Sequence, residues 1–549
     1  MAMMTTSLGA NTTSLLPSAL SRGPTIKAYG WKGTNATYAC ITVDLFIFRD
    51  PLAPITTTAR TPRSCLLEPA MKADSLLVAA SLLSSTTARA VMGDNTLSER
   101  DPTNRLVFAH FMMGTVSNRQ SASDYDDDMK SAKALGIDAF ALNIGTDDYT
   151  NNQLDYAYES AANNNMKVFI SFDFNWWRTD QASQVGQTIV DYAGKPGQLI
   201  VDNKPFVSSF SGDGLDVGAV RHAAGQEIFF APNFNPAAGT DVTAVDGLLN
   251  WIAWPNNGNN KAPTAGESVS VSDGDKQYVS TLGDKAYIAP ASPWFFTHYG
   301  SEVSYSKNFV LPSDTLWYDR WNEILTLGPR FVEIITWNDY GESHYVGPLS
   351  SHTDDGNSKW VNDMPHEGWL DLSKPYIAAF KAGDTSVDKH ITEDKLIYWY
   401  RPAHRNTNCD TTDTCMEPAD NSSGNYFIGR PNGWDSMEDS VFVVSLLTSP
   451  ATVQLSSGEN SRSFEAPAGA SSFKVDMGVG KQKFSAVRDG KEVLSGTSLK
   501  DVVEGFGTLP AGDISSLQPE ALSSFSKGLK RGTCQAPPSV VSSTPAATP

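Results

Sequence analysis

The chain has 549 residues, of which 40% are hydrophobic and 10% aromatic, which is enough to bury a large core in two domains, or in one large domain with an appendage. Its formal net charge of −19 argues against nucleic acid or an anionic membrane as the partner and favours an uncharged ligand.

The first 90 residues contain no predicted folded element. Residues 1–70 are rich in Thr, Ser, Pro and Ala, and we expect them to be a disordered upstream extension of the gene model. The sequence MKADSLLVAASLLSSTTARA, residues 71–90, has the layout of a secretory signal peptide, and its apolar run is too short to span a bilayer. We therefore predict a protein that is secreted or associated with the cell wall; the alternative is an apolar helix within a longer N-terminal domain.

From residue 106 to about residue 383, short apolar runs alternate with amphipathic stretches, which is typical of repeated βα units. Eight candidate strands begin near residues 106, 138, 167, 205, 227, 247, 286 and 331. Predicted helices cover residues 124–135 (after Ser123 as the N-cap), 153–163, 181–192, 216–224 and 315–327. This pattern predicts an α/β fold, a (β/α)8 TIM barrel over residues 91–385.

After residue 383 the pattern changes to short strand-like runs separated by Gly, Pro, Ser and Asp. Their spacing predicts a β-rich, sandwich-like accessory domain over residues 386–535. Residues 536–549 are rich in Pro, Ser and Thr, and we expect an extended, O-glycosylated tail.

Cysteine usage fits an oxidising compartment. Cys409 and Cys415 flank a five-residue polar loop, which predicts a local disulfide and leaves Cys534 without an assigned partner. Asn421, in the sequence NSS, is an acceptor for N-glycosylation. The cysteine spacing offers too few ligands for zinc.

Polar residues cluster where the predicted strands end, which is the edge that carries the active site in βα barrels. The polar candidates, and the aromatic residues that accompany them, are His110, Asn143, Asp173, Asn175, Trp176, Trp177, Asn233, Trp337, Asn338, Asp339, Tyr340, Glu342 and His344. Acids and amides bond hydroxyl groups, and indole rings cover the apolar faces of sugar rings, so this set predicts a site for a neutral polyhydroxylated ligand. Trp176, Trp177 and Trp337 are the tryptophans that we expect to face the cleft.

Asp339 and Glu342 are the candidate catalytic pair. Hydrolysis of a glycosidic bond needs one carboxyl group to protonate the leaving oxygen and a second to activate water or attack carbon. Residues three apart on a straight strand face opposite sides, so the two acids converge only if the chain turns between them, which Gly341 permits. The alternative is that they cap the following segment. Asp173 is the third acid at this edge.

Motifs for other chemistry are absent or incomplete. The chain contains neither G-x-S-x-G nor H-E-x-x-H, and the glycine-rich SGDGLDVG lacks the Lys and Ser/Thr of a phosphate-binding loop. We expect no cofactor and no metal.

The segments LVFAHFMMGTVSNR, AKALGIDAFALNIG, VFISFDFNWW and ITWNDYGESHYVGP resemble, in order and spacing, the fungal α-1,3-glucanases (mutanases) of glycoside hydrolase family 71. The resemblance covers residues 105–385 strongly and the β-rich region more loosely. It implies an inverting endo-hydrolase of α-1,3-glucan, with the catalytic pair at Asp339 and Glu342 and a further essential acid at Asp173. We assign Glu342 as the acid and Asp339 as the base, or the reverse.

Two rival functions remain open from the sequence. One is a glycosidase of another glucan linkage, and the other is a non-catalytic protein that binds cell-wall glucan. In each case we expect a monomer whose partner is a polysaccharide, without nucleic acid or membrane partners.

Overall fold

A computed structural model describes residues 44–47, 105–256, 261–263, 270–299, 307–349, 361, 364–405, 431–498 and 500–504. The predicted signal peptide, the pair Cys409 and Cys415, Cys534, Asn421 and the tail lie outside these residues.

The described residues form strands and helices that we number in chain order. The strands β1 to β19 are Asp44–Ile47, Leu106–Met112, Ala139–Ile144, Lys167–Asp173, Ile200–Val201, Lys204–Phe210, Phe229–Phe230, Gly247–Leu249, Ala286–Ala291, Phe295–Tyr299, Lys307–Leu311, Phe331–Ile334, Lys395–Tyr400, Ser440–Leu447, Ala451–Ser457, Asn460–Ala466, Gly469–Asp476, Gln482–Arg488 and Lys491–Thr497. The α-helices α1 to α7 are Asp126–Leu135, Thr150–Asn163, Ala182–Ala193, Val217–Ala224, Val271–Leu282, Leu316–Leu327 and Glu367–Ala382. Within this part of the chain, no helix combines the length and the apolar character needed to cross a bilayer.

The main sheet contains eight parallel strands in the order β7-β6-β4-β3-β2-β12-β9-β8, and the short β5 pairs antiparallel with β6. The sheet is strongly curled, because Phe229 on β7 lies 5.9 Å from Phe331 on β12, although four strands separate β7 from β12 in the sheet order. All eight predicted strands and all five predicted helices correspond to elements of this structure. The fold is thus mixed α/β with a curled, parallel-rich sheet, followed by antiparallel sheets.

The structure differs from the sequence prediction at several element ends. Ser123 lies inside a 3-10 turn, Ala122–Tyr125, and α1 starts after Tyr125. Helices α5 and α7 were not predicted, since Gly274 interrupts one pattern and Pro375 the other. Strand β1 was not expected either; its backbone pairs antiparallel with β13.

Side chains that point to the concave face of the sheet change in character along the strands. At the N-terminal end, Phe108, Phe169 and Phe206 pack with ring centroids 4.6 to 5.2 Å apart. Since side chains alternate between the faces of a strand, His110 follows Phe108 on the same face, two residues nearer the C-terminal edge. Asp173 follows Phe169 in the same way, four residues on. The apolar end supports the fold, and the polar end faces the site.

Antiparallel strands form two further four-stranded sheets, β1-β13-β14-β17 and β16-β15-β18-β19. Strand β13 is buried on both faces: Leu396 and Tyr398 join a core shared with the second sheet, whereas Ile397 and Trp399 join the core around the helices of the main sheet. The Trp399 indole also donates to the Asp314 carbonyl, 2.7 Å away. The first antiparallel sheet is therefore packed tightly against the α/β part of the chain.

Candidate active site

The site is built on the turn that follows β12. Residues 335–348 double back, and the Thr336 amide donates to the His344 carbonyl at 3.1 Å. Ser343 has a left-handed backbone in this turn, with φ 61°, whereas Gly341, the residue expected to permit the chain reversal, is not among the described residues with a positive φ.

One imidazole lies between the two candidate carboxylates. Nε2 of His344 is 3.1 Å from Glu342 Oε2 and 3.9 Å from Asp339 Oδ2, and its Nδ1 is 3.1 Å from Thr336 Oγ1. The Glu342 amide donates to Asp339 Oδ1 at 3.0 Å, and the Asp339 amide donates to Thr336 Oγ1 at 2.9 Å. Asp339 is 4% exposed, Glu342 8% and His344 0%, so the group is shielded from bulk water and its internal interactions are strong.

The two acids are close together. One oxygen of Asp339, one of Glu342 and one nitrogen of His344 all lie within 4.8 Å of one another, so the three side chains could each offer one ligand to a metal ion. The same arrangement can hold and move a proton without a metal.

Asn338 anchors the turn to the end of β2. Its Oδ1 accepts the Met112 amide at 2.7 Å, and its Nδ2 donates to the Met112 carbonyl at 3.1 Å and to Thr115 Oγ1 at 2.9 Å. These bonds use its amide group for the protein, whereas the sequence analysis expected Asn338 to bind substrate.

The Trp337 side chain points away from the cleft, contrary to the sequence prediction. Its indole donates to Asp128 Oδ1 at 2.8 Å and packs on Phe140, with only 1% of the residue exposed. The Trp337 amide donates to the His110 carbonyl at 2.8 Å, which holds the backbone of the turn against β2. Arg119 holds Asp128 from the other side at 2.8 Å.

A hairpin made by β10 and β11 fixes the turn from the opposite side. The Phe296 amide donates to the Glu342 carbonyl at 3.1 Å, and the Trp294 indole donates to the Ser343 carbonyl at 3.0 Å. The strand predicted to begin near residue 286 ends at Ala291, where the chain leaves the main sheet, and Pro293 precedes the new direction of β10.

Asp173 ends β4 and is 5% exposed. Its Oδ1 accepts the Asn175 amide at 2.9 Å. Burial raises the pKa of Asp173 to about 6, although the Asn175 amide, the charge of His110 and the Asn143 side chain each lower it. A carboxyl group with a pKa near 6 is suited to give or take a proton close to neutral pH.

The two tryptophans after Asp173 differ in exposure. Trp176 is 42% exposed, which makes its indole available to a ligand. Trp177 donates from its indole to the Gly145 carbonyl at 3.1 Å and meets Phe172 edge-on at 5.2 Å, so it holds the loop in place.

The remaining predicted residues lie in the protein framework. His110 is fully buried, with Nδ1 2.7 Å from Oε1 of Glu333. Asn233 donates to the Leu249 carbonyl at 3.0 Å, and Tyr340, 2% exposed, donates to a backbone carbonyl in its own turn. Glu333 was missed by the sequence analysis; its signal is a single acid within the otherwise apolar strand FVEII.

One known protein family matches most of the chain. The glycosyl hydrolase family 71 profile matches residues 103–509. The chain belongs to glycosyl hydrolase family 71. The match covers the main sheet and, apart from β1, both four-stranded antiparallel sheets of this family 71 chain.

Three curated relatives align with most of the family 71 chain. A mutanase of Penicillium rubens is 41% identical over 433 residues, which are 78% of this chain and 91% of the relative. The glucan endo-1,3-alpha-glucosidase agn1 of Schizosaccharomyces pombe is 34% identical over 72% of this chain and 90% of its own length. The ascus wall endo-1,3-alpha-glucanase of the same yeast is 27% identical over 74% of this chain and 93% of its own length.

Proposed function

We propose that this chain is a glycoside hydrolase that cleaves α-1,3-glucan within the polymer, through Asp339, Glu342 and Asp173. The observation that carries the proposal is the buried group of Asp339, Glu342 and His344 at the C-terminal edge of a parallel sheet, in a chain of family 71. The relatives named as endo-1,3-alpha-glucosidase and mutanase support this linkage over other glucans.

The chemistry follows from proton transfer between carboxyl groups. One protonated carboxyl group gives its proton to the glycosidic oxygen as the bond to the sugar carbon breaks, and an ionised carboxylate takes a proton from the attacking water. Asp339 keeps one oxygen bonded to the Glu342 amide, so its orientation is fixed. His344 does not reach solvent; we assign it to holding Glu342 in position.

We further propose that the reaction inverts the anomeric carbon, as the resemblance implies, and that Asp173 is one of the two carboxyl groups that flank the bond. The position of Asp173 supports this division, because Asp173 ends β4 at the same edge of the sheet as the turn that carries Asp339 and Glu342. The pKa of Asp173, which burial raises to about 6, suits the acid role. Proton NMR of the first-formed product tests inversion: we expect the β-anomer, and the α-anomer would refute it.

For the fold, we propose that the curled sheet closes into a (β/α)8 barrel, with boundaries near residues 91 and 385, and that the two antiparallel sheets form a sandwich. Closure is supported by two backbone hydrogen bonds between the segments of β7 and β8, from Asp246 to Phe230 and from Leu249 to Pro232, both 2.9 Å. The core shared by the two antiparallel sheets supports the sandwich.

We also propose that the protein is secreted as a monomer after cleavage near residue 90, and that neither nucleic acid nor a membrane is its partner. The signal-like layout of residues 71–90 and the acidic composition support this. Mass spectrometry of secreted protein tests the cleavage, and peptides from residues 1–70 would refute it. Light scattering tests the monomer.

The deciding experiment measures reducing sugar released from insoluble α-1,3-glucan, with β-1,3-glucan and starch as controls. We expect activity on α-1,3-glucan alone, and a loss of about a hundredfold or more in Asp339→Asn and in Glu342→Gln. Product sizes by chromatography then separate internal from terminal cleavage. Binding of the polymer without release of sugar would instead indicate a glucan-binding protein.

A further inference from the structure

A buried carboxylate and a buried imidazole face each other beneath the site. Glu333 on β12 and His110 on β2 are both 0% exposed, and Glu333 Oε1 lies 2.7 Å from His110 Nδ1. Glu333 Oε2 and His110 Nε2 have no hydrogen-bond partner among the described residues. Such a pair does little for stability, because well-packed apolar side chains of similar volume do at least as well in most proteins.

The His110 ring is enclosed by residues of β12, of β3 and of the segment that follows β8. Glu333 holds Nδ1 of His110, and the Trp251 ring meets the His110 ring edge-to-face, with the two ring centroids 4.7 Å apart. The residue paired with His110 on the neighbouring strand β3 is the small Ala141. Among the described residues, Glu333 from β12 contacts the His110 ring, and Asp173, which ends β4 on the same face of the sheet, has a pKa that the charge of His110 lowers.

We propose that Glu333 is a positioning residue for hydrolysis: it fixes the tautomer and orientation of His110, which lies on the same face of the sheet as Asp173. The inference rests on the proposed function, since it assigns Asp173 to the reaction. Glu333 touches neither the turn acids nor the cleft, so it acts only through the imidazole.

The physical reason is that a fixed ring keeps its influence on its neighbours constant. A carboxylate that accepts from Nδ1–H decides which ring nitrogen carries that proton and how the ring is turned, and the charge of His110 lowers the pKa of Asp173 against the effect of burial. A glutamine at residue 333 keeps the size of the side chain but can also turn an NH₂ group toward Nδ1. His110 is then no longer held in one tautomer and orientation, its effect on Asp173 weakens, and the pKa of Asp173 rises further.

The test compares Glu333→Gln, His110→Gln and the double variant in the full chain, using soluble α-1,3-linked glucooligosaccharides. In Glu333→Gln we expect kcat to fall about tenfold or more with KM nearly unchanged, and the limb of the pH profile set by Asp173 to move up by about one pH unit. The double variant should be no worse than His110→Gln alone, because the two residues act as one unit.

Asp275→Asn is the matched control, since Asp275 is also a buried acid paired with a cation, Arg320 Nη1 at 2.5 Å, but lies on α5 away from the site. It should lower stability without moving the pH profile. If Glu333→Gln behaves like Asp275→Asn, or if the effects of Glu333→Gln and His110→Gln add, Glu333 is purely structural and the proposal is wrong.

A second readout does not depend on activity. In the full chain labelled with ¹⁵N-histidine, the His110 signal, identified by its loss in His110→Gln, should report protonated Nδ1 in the unaltered protein and a changed tautomer in Glu333→Gln. If the unaltered chain releases no sugar, the proposed function fails, while these spectra still decide whether Glu333 controls His110. A His110 signal that does not change in Glu333→Gln overturns the inference. If Glu333→Gln does not fold, an Nδ1 that carries no proton in the unaltered protein overturns it as well.

Discussion

Replacing Asp173 by Asn should abolish most activity and at the same time stabilise the protein at neutral pH. Burial raises the pKa of Asp173 from its ordinary value of 3.8 to about 6 in the folded state. Between about pH 4 and pH 6 the folded protein therefore binds more protons than the unfolded chain, and the free energy of unfolding falls as pH rises through that window. Asn does not ionise, so the variant escapes this loss.

The difference of about two pH units corresponds to about 3 kcal/mol, because one unit is worth 1.36 kcal/mol. Relative to the unaltered protein, Asp173→Asn should gain up to about that amount between pH 4 and pH 7, and the Asn175 amide can still donate to the Asn oxygen. Urea unfolding followed by tryptophan fluorescence at pH 4, 5, 6 and 7 measures the gain, and reducing-sugar release measures the loss of activity.

Asp246→Asn provides a control of opposite sign. Burial would raise the pKa of Asp246, but hydrogen bonds from the Phe230 amide and Arg221, 2.6 Å away, outweigh burial and lower it. Its ionised form stabilises the fold above pH 4, so Asp246→Asn should be less stable at pH 7 and approach the unaltered protein in acid. A constant stability difference for Asp173→Asn between pH 4 and pH 7 would refute the reasoning.

Three further changes test the framework of the site. An alanine Cβ at Gly347 would lie 2.6 Å from the Trp337 ring, so Gly347→Ala should lower the free energy of unfolding by about 1 to 3 kcal/mol and lower kcat. Gly194→Ala, where a Cβ meets no atom within 4 Å, should change neither stability nor kcat, and equal effects of the two changes would contradict this reasoning. His344→Gln should lower kcat with KM nearly unchanged, because the buried ring touches carboxylates and not the cleft; a rise in KM alone would show sugar contact. Trp399→Ala should lower the free energy of unfolding by about 3 to 5 kcal/mol while the variant still unfolds in a single transition. Two separate unfolding transitions in the unaltered protein would disprove the tight packing of the first antiparallel sheet against the α/β part.

Much of the fold was predictable because the strands of the main sheet carry strong local signals. Runs such as KVFISFDF are apolar, β-branched or aromatic, and they end in polar residues, so both the strand and its catalytic edge are visible in the sequence. The acids Asp339, Glu342 and Asp173 stand out for the same reason. Helix α7 was missed because Pro375 within it masks a continuous helical pattern.

The partners of the site residues were not predictable, because they depend on contacts between distant segments. Nothing near Asn338 in the sequence indicates that its amide bonds Met112, 226 residues away, and nothing near Trp337 indicates Asp128. Both residues looked like ligand contacts since they are polar or aromatic beside two acids. Tertiary packing decided that they hold the turn instead.

The two-faced burial of β13 bears on how such a protein could be shortened or recombined. A boundary near residue 385 separates α/β from antiparallel topology, yet cutting there would strip Ile397 and Trp399 from the helices and leave an apolar surface in water. A shortened or recombined catalytic part would therefore have to keep the first antiparallel sheet. A segment from another protein would be better joined after residue 504 than inserted near residue 385.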